Sequence, residues 1–181
     1  IDAVNVTGGW HEAPVPQISY QLPAGGFAYL ADSIKSVVNI PVIACNRINN
    51  IDTIEAILKN GMADFVGTAR GFLADPQFAE KVLTSTPYNK CQGCNKCIEA
   101  VLKGKPVLCA YNPEVGHEAE EKTHRKVVSA KKILVIGAGP AGLEAAKKSA
   151  ERGYKTILCT KDSYLGGLLV SASASPEKHD L

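Results

Sequence analysis

The chain has 181 residues, 45% of them hydrophobic and 21% charged, with a net charge of +2. Such a length suits one domain or two small ones, and the composition is that of an ordinary globular protein. There is no basic stripe of the kind nucleic acid requires, and no apolar run approaches the ~20 residues of a membrane-spanning helix. No charged-then-apolar leader is visible, and the chain opens at Ile1 in a strand-like run rather than at a Met. It therefore reads as an internal piece of a longer, cytoplasmic protein.

Three strand-like runs come first. Residues 2–7 alternate, 41–45 are continuously apolar as a covered parallel strand should be, and 64–67 are short and similar. Between the first two, Phe27, Leu30, Ile34 and Val37 or Val38 recur at helical spacing over 27–38. A second helix is expected over 50–59, capped by Asn50 or Asp52, and a third over 75–83. Strand alternating with helix implies βα units around a parallel sheet, an α/β fold. Residues 84–110 break this rhythm. Residues 116–126 are charged and read as an exposed connection. Beyond them, a strand at 132–137, a helix at 141–152 and a strand at 155–160 make only the beginning of a doubly wound domain. The expected organisation is thus 1–85, 86–126 and 127–181.

Four of the six cysteines crowd into the irregular stretch. Cys91, Cys94, Cys97 and Cys109 follow C-x2-C-x2-C-x11-C. In a chain without a leader, clustered cysteines argue for metal binding over disulfides. Four thiolates in a three-plus-one arrangement suit a [4Fe–4S] cluster. Structural zinc also takes four thiolates, usually from two separated C-x-x-C pairs, and stays open as an alternative. Gly93 and Asn95 between the ligands suit a tight turn. Cys45 and Cys159 lie in apolar runs and read as small buried hydrophobes.

Gly137-Ala138-Gly139-Pro140-Ala141-Gly142 is G-x-G-x-x-G, placed between an apolar strand and a helix. Gly137 permits the tight turn, Gly139 lets backbone approach a pyrophosphate, and Gly142 lets helix and strand pack closely. The helix opening at Ala141 would offer its unpaired N–H groups to the anion. The acidic residue expected at the end of the second strand is replaced by Thr160, with Asp162 two positions on. Gly166-Gly167 suits a second close approach to a dinucleotide.

At the strand ends of the first half stand His11, beside Trp10, then Arg47, then Gly67-Thr68-Ala69-Arg70. In a βα barrel such ends carry the chemistry. Two arginines and a glycine turn at neighbouring strand ends would make a phosphate site. The alternatives are a structural histidine and solvated arginines.

The runs WHEAPVP, CNRIN, TARGFLADP, CQGCNKC, the cysteine before AYNPEVG, IGAGPAGLEAA and LGG occur in this order. In combination they resemble the iron–sulfur branch of the old yellow enzyme family, of the 2,4-dienoyl-CoA reductase and 2-enoate reductase type. The resemblance implies three parts: the C-terminal part of an FMN-binding (β/α)8 barrel, a [4Fe–4S] segment, and the start of a Rossmann-like FAD-binding domain. It implies His11 as the catalytic histidine, partnered by a tyrosine that this sequence lacks, with Glu12, Ala13, Pro14 and Val15 bordering substrate. Arg47, Gly67, Ala69 and Arg70 would contact FMN, and Gly137, Gly139, Ala141, Gly142, Thr160 and Gly167 would contact FAD. The activity implied is NAD(P)H-dependent reduction of an activated C=C bond in a small enoate, enoyl-CoA or steroid enone. An amine dehydrogenase on the same scaffold, or a non-enzymatic zinc-stapled module, are the rival expectations. The oligomeric state is not legible.

Overall fold

The computed structural model describes residues 1–9, 12–15, 20–121 and 131–174. The chain divides into two compact units, Ile1–Gly116 and His117–Leu181. The cysteine-bearing stretch belongs to the first.

Strand and helix alternate in the first unit as the apolar pattern requires. β1 (Val4–Val6), β2 (Val42–Ala44) and β3 (Phe65–Val66) form a three-stranded sheet in that order. Both pairs are parallel, with Val6 opposite Ala44 and Ala44 opposite Val66. The crossovers are α1 (Ala28–Lys35) and α2 (Ile51–Lys59). Asn50, not Asp52, caps α2, its side chain accepting from the Thr53 N–H at 2.8 Å. Asp52 lies in the first turn, where its charge suits the helix dipole.

Val6, Ala28, Ala31, Val42, Ala44, Ile48, Ile57 and Ala63 make the core between sheet and helices. Val42 is fully buried because its strand is central and covered. Asp64 fastens the far end of the sheet. One carboxylate oxygen accepts from the Val42 N–H at 2.9 Å and the other from Lys35 at 2.7 Å.

The helix expected over 75–83 begins only at residue 78, after a break that separates it from an earlier helix the sequence pattern does not predict. α3 (Ala69–Ala74) ends at Asp75, and α4 (Phe78–Leu83) starts three residues later. The cause is Pro76, whose ring disfavours helical backbone at the residue before it. Asp75 sits at φ −147, ψ 110, extended as that rule demands. Its buried carboxylate accepts from the Gln77 N–H at 3.0 Å, the Asn89 N–H at 3.0 Å and Lys81 at 2.7 Å. Burial pushes its pKa up, but these hydrogen bonds outweigh it and hold the group below the ordinary carboxylate value. One side chain therefore joins α3, α4 and the start of the cysteine stretch. Another helix, α5 (Lys96–Leu102), forms inside that stretch, where the sequence pattern predicts none.

In the second unit, after α6 (Glu118–Glu121), β4 (Lys132–Ile136) and β5 (Lys155–Cys159) pair in parallel across α7 (Pro140–Glu151). A further short helix, α8 (Leu168–Ala172), follows the second glycine turn. Of the expected connection, residues 116–119 are exposed, and 122–126 lie outside the described residues. Leu134, Ile136 and Ile157 stand substantially exposed on the sheet. No helix among the described residues is long and apolar enough to cross a membrane.

Asp75→Ala leaves two backbone N–H groups and Lys81 without their acceptor. It should lower the unfolding free energy in a urea titration by about 2–3 kcal/mol. The folded-state pKa of Asp75 is depressed, so its contribution is complete above the ordinary value of 3.8 and is lost as pH falls through the folded value. The variant should accordingly lose less stability than the parent over that acid range. An equal acid loss in both proteins would mean that the Asp75 carboxylate does not fasten these helices.

Candidate functional site

β2 ends in an unusual turn. Asn46 and Arg47 both have left-handed backbone, φ 77 and φ 54. Such a conformation is costly for residues with side chains and persists where the surroundings hold it. Here Asn46 donates to the Gly8 carbonyl at 3.1 Å, and the Arg47 carbonyl accepts from the Gly25 N–H at 3.0 Å. The Arg47 guanidinium is aimed by two carbonyls, Nε to Leu22 at 3.1 Å and Nη2 to Tyr20 at 3.2 Å. Its Nη1 is buried without a partner. That nitrogen sits over Gly93 in the cysteine loop, where any Cβ would collide with it.

β3 is followed by Gly67, where a Cβ would lie 2.7 Å from the Cys45 sulfur. Thr68 caps α3, accepting from the Gly71 N–H at 3.3 Å. Arg70, in the first turn, donates to the Asn95 side chain at 2.8 Å. These strand ends and α5 surround a cavity of about 660 Å³, lined by Cys45, Arg47, Asn49, Gly67, Ala69, Arg70, Cys91 and Cys97 among others. Burial, with the like charge of Arg70, pulls the Arg47 pKa below its ordinary value. A half-buried cation with a buried, unpaired donor, facing a second cation, fits an anionic group such as a phosphate.

Cys91, Cys94, Cys97 and Cys109 surround a second pocket that shares Arg70, Leu73, Cys91 and Cys97 with the first. Gly93 at φ 69 and Asn95 at φ 59 reverse the chain between the cysteines, and Cys97 then lies in the first turn of α5. The Tyr111 N–H donates to the Cys109 sulfur at 3.4 Å. All four are free thiols. Burial pushes the Cys91 thiol up, and Cys109 and Cys97 add to this, while the Gly93 N–H and Arg70 favour its thiolate. Among the described residues, no three His, Cys, Asp or Glu side chains converge as one metal ion would need. Four thiols around one pocket match the ligand number of an iron–sulfur cluster.

The glycine turn of the second unit has the expected shape. Gly137 has φ 102, and a Cβ on Gly142 would run into the Gly137 carbonyl oxygen. Gly139 faces open space and precedes α7, whose first residue is Pro140 and whose N-terminus has no side-chain cap. The second glycine turn closes over the first: the Gly166 N–H donates to Ala138 at 2.8 Å, and a Cβ on Gly167 would lie 3.1 Å from Gly139 Cα. A cavity of about 380 Å³ opens there, lined by Gly137, Gly139, Thr160, Asp162 and Gly167 among others. The Thr160 hydroxyl accepts from the Asp162 N–H at 3.3 Å. Ala141 and Gly142 lie in α7 and outside that lining.

Not every expected residue joins a site. His11 and Trp10 lie outside the described residues. Glu12, Ala13, Pro14 and Val15 form a turn, and none lines the 660 Å³ cavity. Two cysteines differ from their expected role. Cys159 is exposed at the glycine-turn cavity, because a two-stranded sheet leaves it uncovered. Cys45 is half-buried and faces the larger cavity, its thiol donating to Asn5 at 2.9 Å. Asn49 does not stand out in the sequence. The available signal is a polar run directly after an apolar strand.

Residues 9–89 match the model of the NADH:flavin oxidoreductase / NADH oxidase family, and residues 132–180 that of FAD dependent oxidoreductases. A metal reductase of Desulforamulus reducens is 49% identical over 99% of this chain and 27% of its own length. The solved 2-naphthoyl-CoA reductase superposes with a TM-score of 0.90 at 32% identity, over 99% of this chain and 28% of that one. The 6-hydroxypseudooxynicotine amine oxidase of Pseudomonas geniculata N1 superposes at 0.81 and 31% identity, over 98% and 27%. The chain thus spans about a quarter of the length of these proteins.

Cys159 should alkylate faster than Cys45 in a maleimide time course read by mass spectrometry. Burial raises the Cys45 pKa above the ordinary 9.0, so its labelling should rise only at more alkaline pH. Faster labelling of Cys45 at neutral pH would contradict this placement.

Proposed function

We propose that this chain, which belongs to the NADH:flavin oxidoreductase / NADH oxidase family, is part of an iron–sulfur flavoenzyme that uses NAD(P)H to reduce an activated C=C bond. The observation that carries the reading is the shared wall between two pockets. Four free cysteines ring one, and a half-buried arginine with a buried, unpaired nitrogen lines the other. On this reading residues 1–85 are the C-terminal part of a (β/α)8 barrel, 86–126 the cluster segment, and 127–181 the start of a Rossmann-like domain.

Each group has its holders. Arg47, Gly67, Ala69 and Arg70 bind FMN, the arginines neutralising its phosphate. Cys91, Cys94, Cys97 and Cys109 hold the [4Fe–4S] cluster. Gly137, Gly139, Thr160 and Gly167 would cradle FAD, and Ala141 and Gly142 would set the start of α7, whose backbone N–H groups suit its pyrophosphate. When bound, the flavins and the cluster supply hydride acceptance from nicotinamide, single-electron relay and hydride delivery to an electron-poor alkene. His11 delivers a proton to the substrate α-carbon as general acid, and Glu12, Ala13, Pro14 and Val15 border the substrate. The substrate class is a small enoate, enoyl-CoA or enone, and the setting is cytoplasmic.

A second reading is amine oxidation, favoured by the likeness to the amine oxidase. There the substrate would give electrons rather than take them. The metal reductase likeness adds oxidised metal ions to the acceptors worth assaying.

In the anaerobically produced holoenzyme, Cys94→Ala should abolish alkene reduction by NAD(P)H while NAD(P)H oxidation with an artificial acceptor survives. Undiminished alkene turnover would refute the relay. His11→Ala should slow alkene reduction about 100-fold or more. Gly142→Val should lower FAD per chain and spare FMN. Turnover of amines without any alkene activity would replace the first reading with the second.

A further inference from the structure

Asn49 lies two residues beyond Arg47 and its amide faces two ways. The residue is only 6% exposed. Its Nδ2 donates to the main-chain carbonyl of Cys91, across the boundary between sheet end and cysteine loop. Its Oδ1 is buried with no partner, and the residue lines the cavity that Arg47 and Cys91 also line. A buried polar atom left unpaired is costly. An amide oxygen accepts and cannot donate, so the group that relieves it must bring an N–H or O–H. Phosphate oxygens do not qualify; the ring imide and sugar-chain hydroxyls of a flavin do.

We infer that Asn49 is a positioning residue joining two cofactor cradles: Nδ2 fixes the Cys91 turn of the cluster loop, and Oδ1 accepts a hydrogen bond from the flavin in the cavity. The inference rests on the cofactor reading above. Arg47 packs over Gly93, and Arg70 holds Asn95 at 2.8 Å, so the loop is gripped at three successive points. Asn49 is the grip that reaches a ligand-bearing residue directly. Supporting hydrogen bonds of this kind orient ligands and tune the potential of the metal centre.

The test compares the anaerobically produced wild-type holoenzyme with Asn49→Asp and Asn49→Leu. Iron, acid-labile sulfide and FMN per chain are measured, with the rate of cluster loss to a chelator and the cluster midpoint potential. At about pH 8, with Arg47 and Arg70 lining the same cavity to offset burial, an ionised Asp keeps the acceptor and loses the donor. Asn49→Asp should therefore retain FMN, lose its cluster about tenfold faster and shift its potential. Asn49→Leu removes both functions and should lose FMN as well. An Asn49→Asp cluster with unchanged lifetime and potential would overturn the inference. So would a parallel loss of FMN, cluster and thermal stability in that variant, which would mark Asn49 as merely structural. A wild-type protein lacking iron and flavin would instead overturn the cofactor reading itself.

Discussion

Parallel pairing sends the C-terminal ends of all strands in a sheet to one edge, and the features of the first unit follow from this constraint. β1, β2 and β3 release their chains on the same side. Arg47 leaves one strand and Gly67 leaves the next, so residues 20 apart in sequence meet in one cavity. At the opposite edge the Asp64 carboxylate is held by Lys35 and the Val42 N–H.

Polar side chains tie the cysteine loop to the chemical edge. Arg47, Asn49, Arg70 and Asp75 each reach across to it. Polar anchoring leaves a residue of unsatisfied groups. Arg47 Nη1 and Asn49 Oδ1 are buried and unpaired in the protein alone. Groups of this kind are rare in native interiors and mark places where something else completes the set. The second unit has its own version of incompleteness: glycines hold open a cradle at Gly139, and β4 and β5 expose Leu134, Ile136 and Ile157.

The order of strands and helices is legible in the sequence because each element carries a complete local signal. The continuous apolar run at β2 predicts a covered central strand, and the polar cap at Asn50 predicts where α2 begins. The glycine turn is legible because Gly137 and Gly142 answer steric demands that no other residue meets. What the sequence hides depends on tertiary contacts. α5 is seven residues long with no capping hydrogen bond from its N-cap side chain, and its boundaries follow from the left-handed turn at Asn95. The break before α4 is the exception, since Pro76 marks it locally and the helical pattern over 75–83 masks it. Asn49 has no local signature, because its importance comes from Cys91, 42 residues away. Cys45 and Cys159 differ from expectation because apolar neighbours in sequence do not fix which face of a strand is covered.

The central claim is that the four cysteines and the two glycine-lined cavities belong to one redox protein. Its most direct test is to produce the intact protein without oxygen and determine iron, acid-labile sulfide, FMN and FAD in one sample. The account predicts about four irons and four sulfides with one of each flavin per chain. One zinc per chain with no flavin would contradict it, and would leave the cysteines as a structural staple.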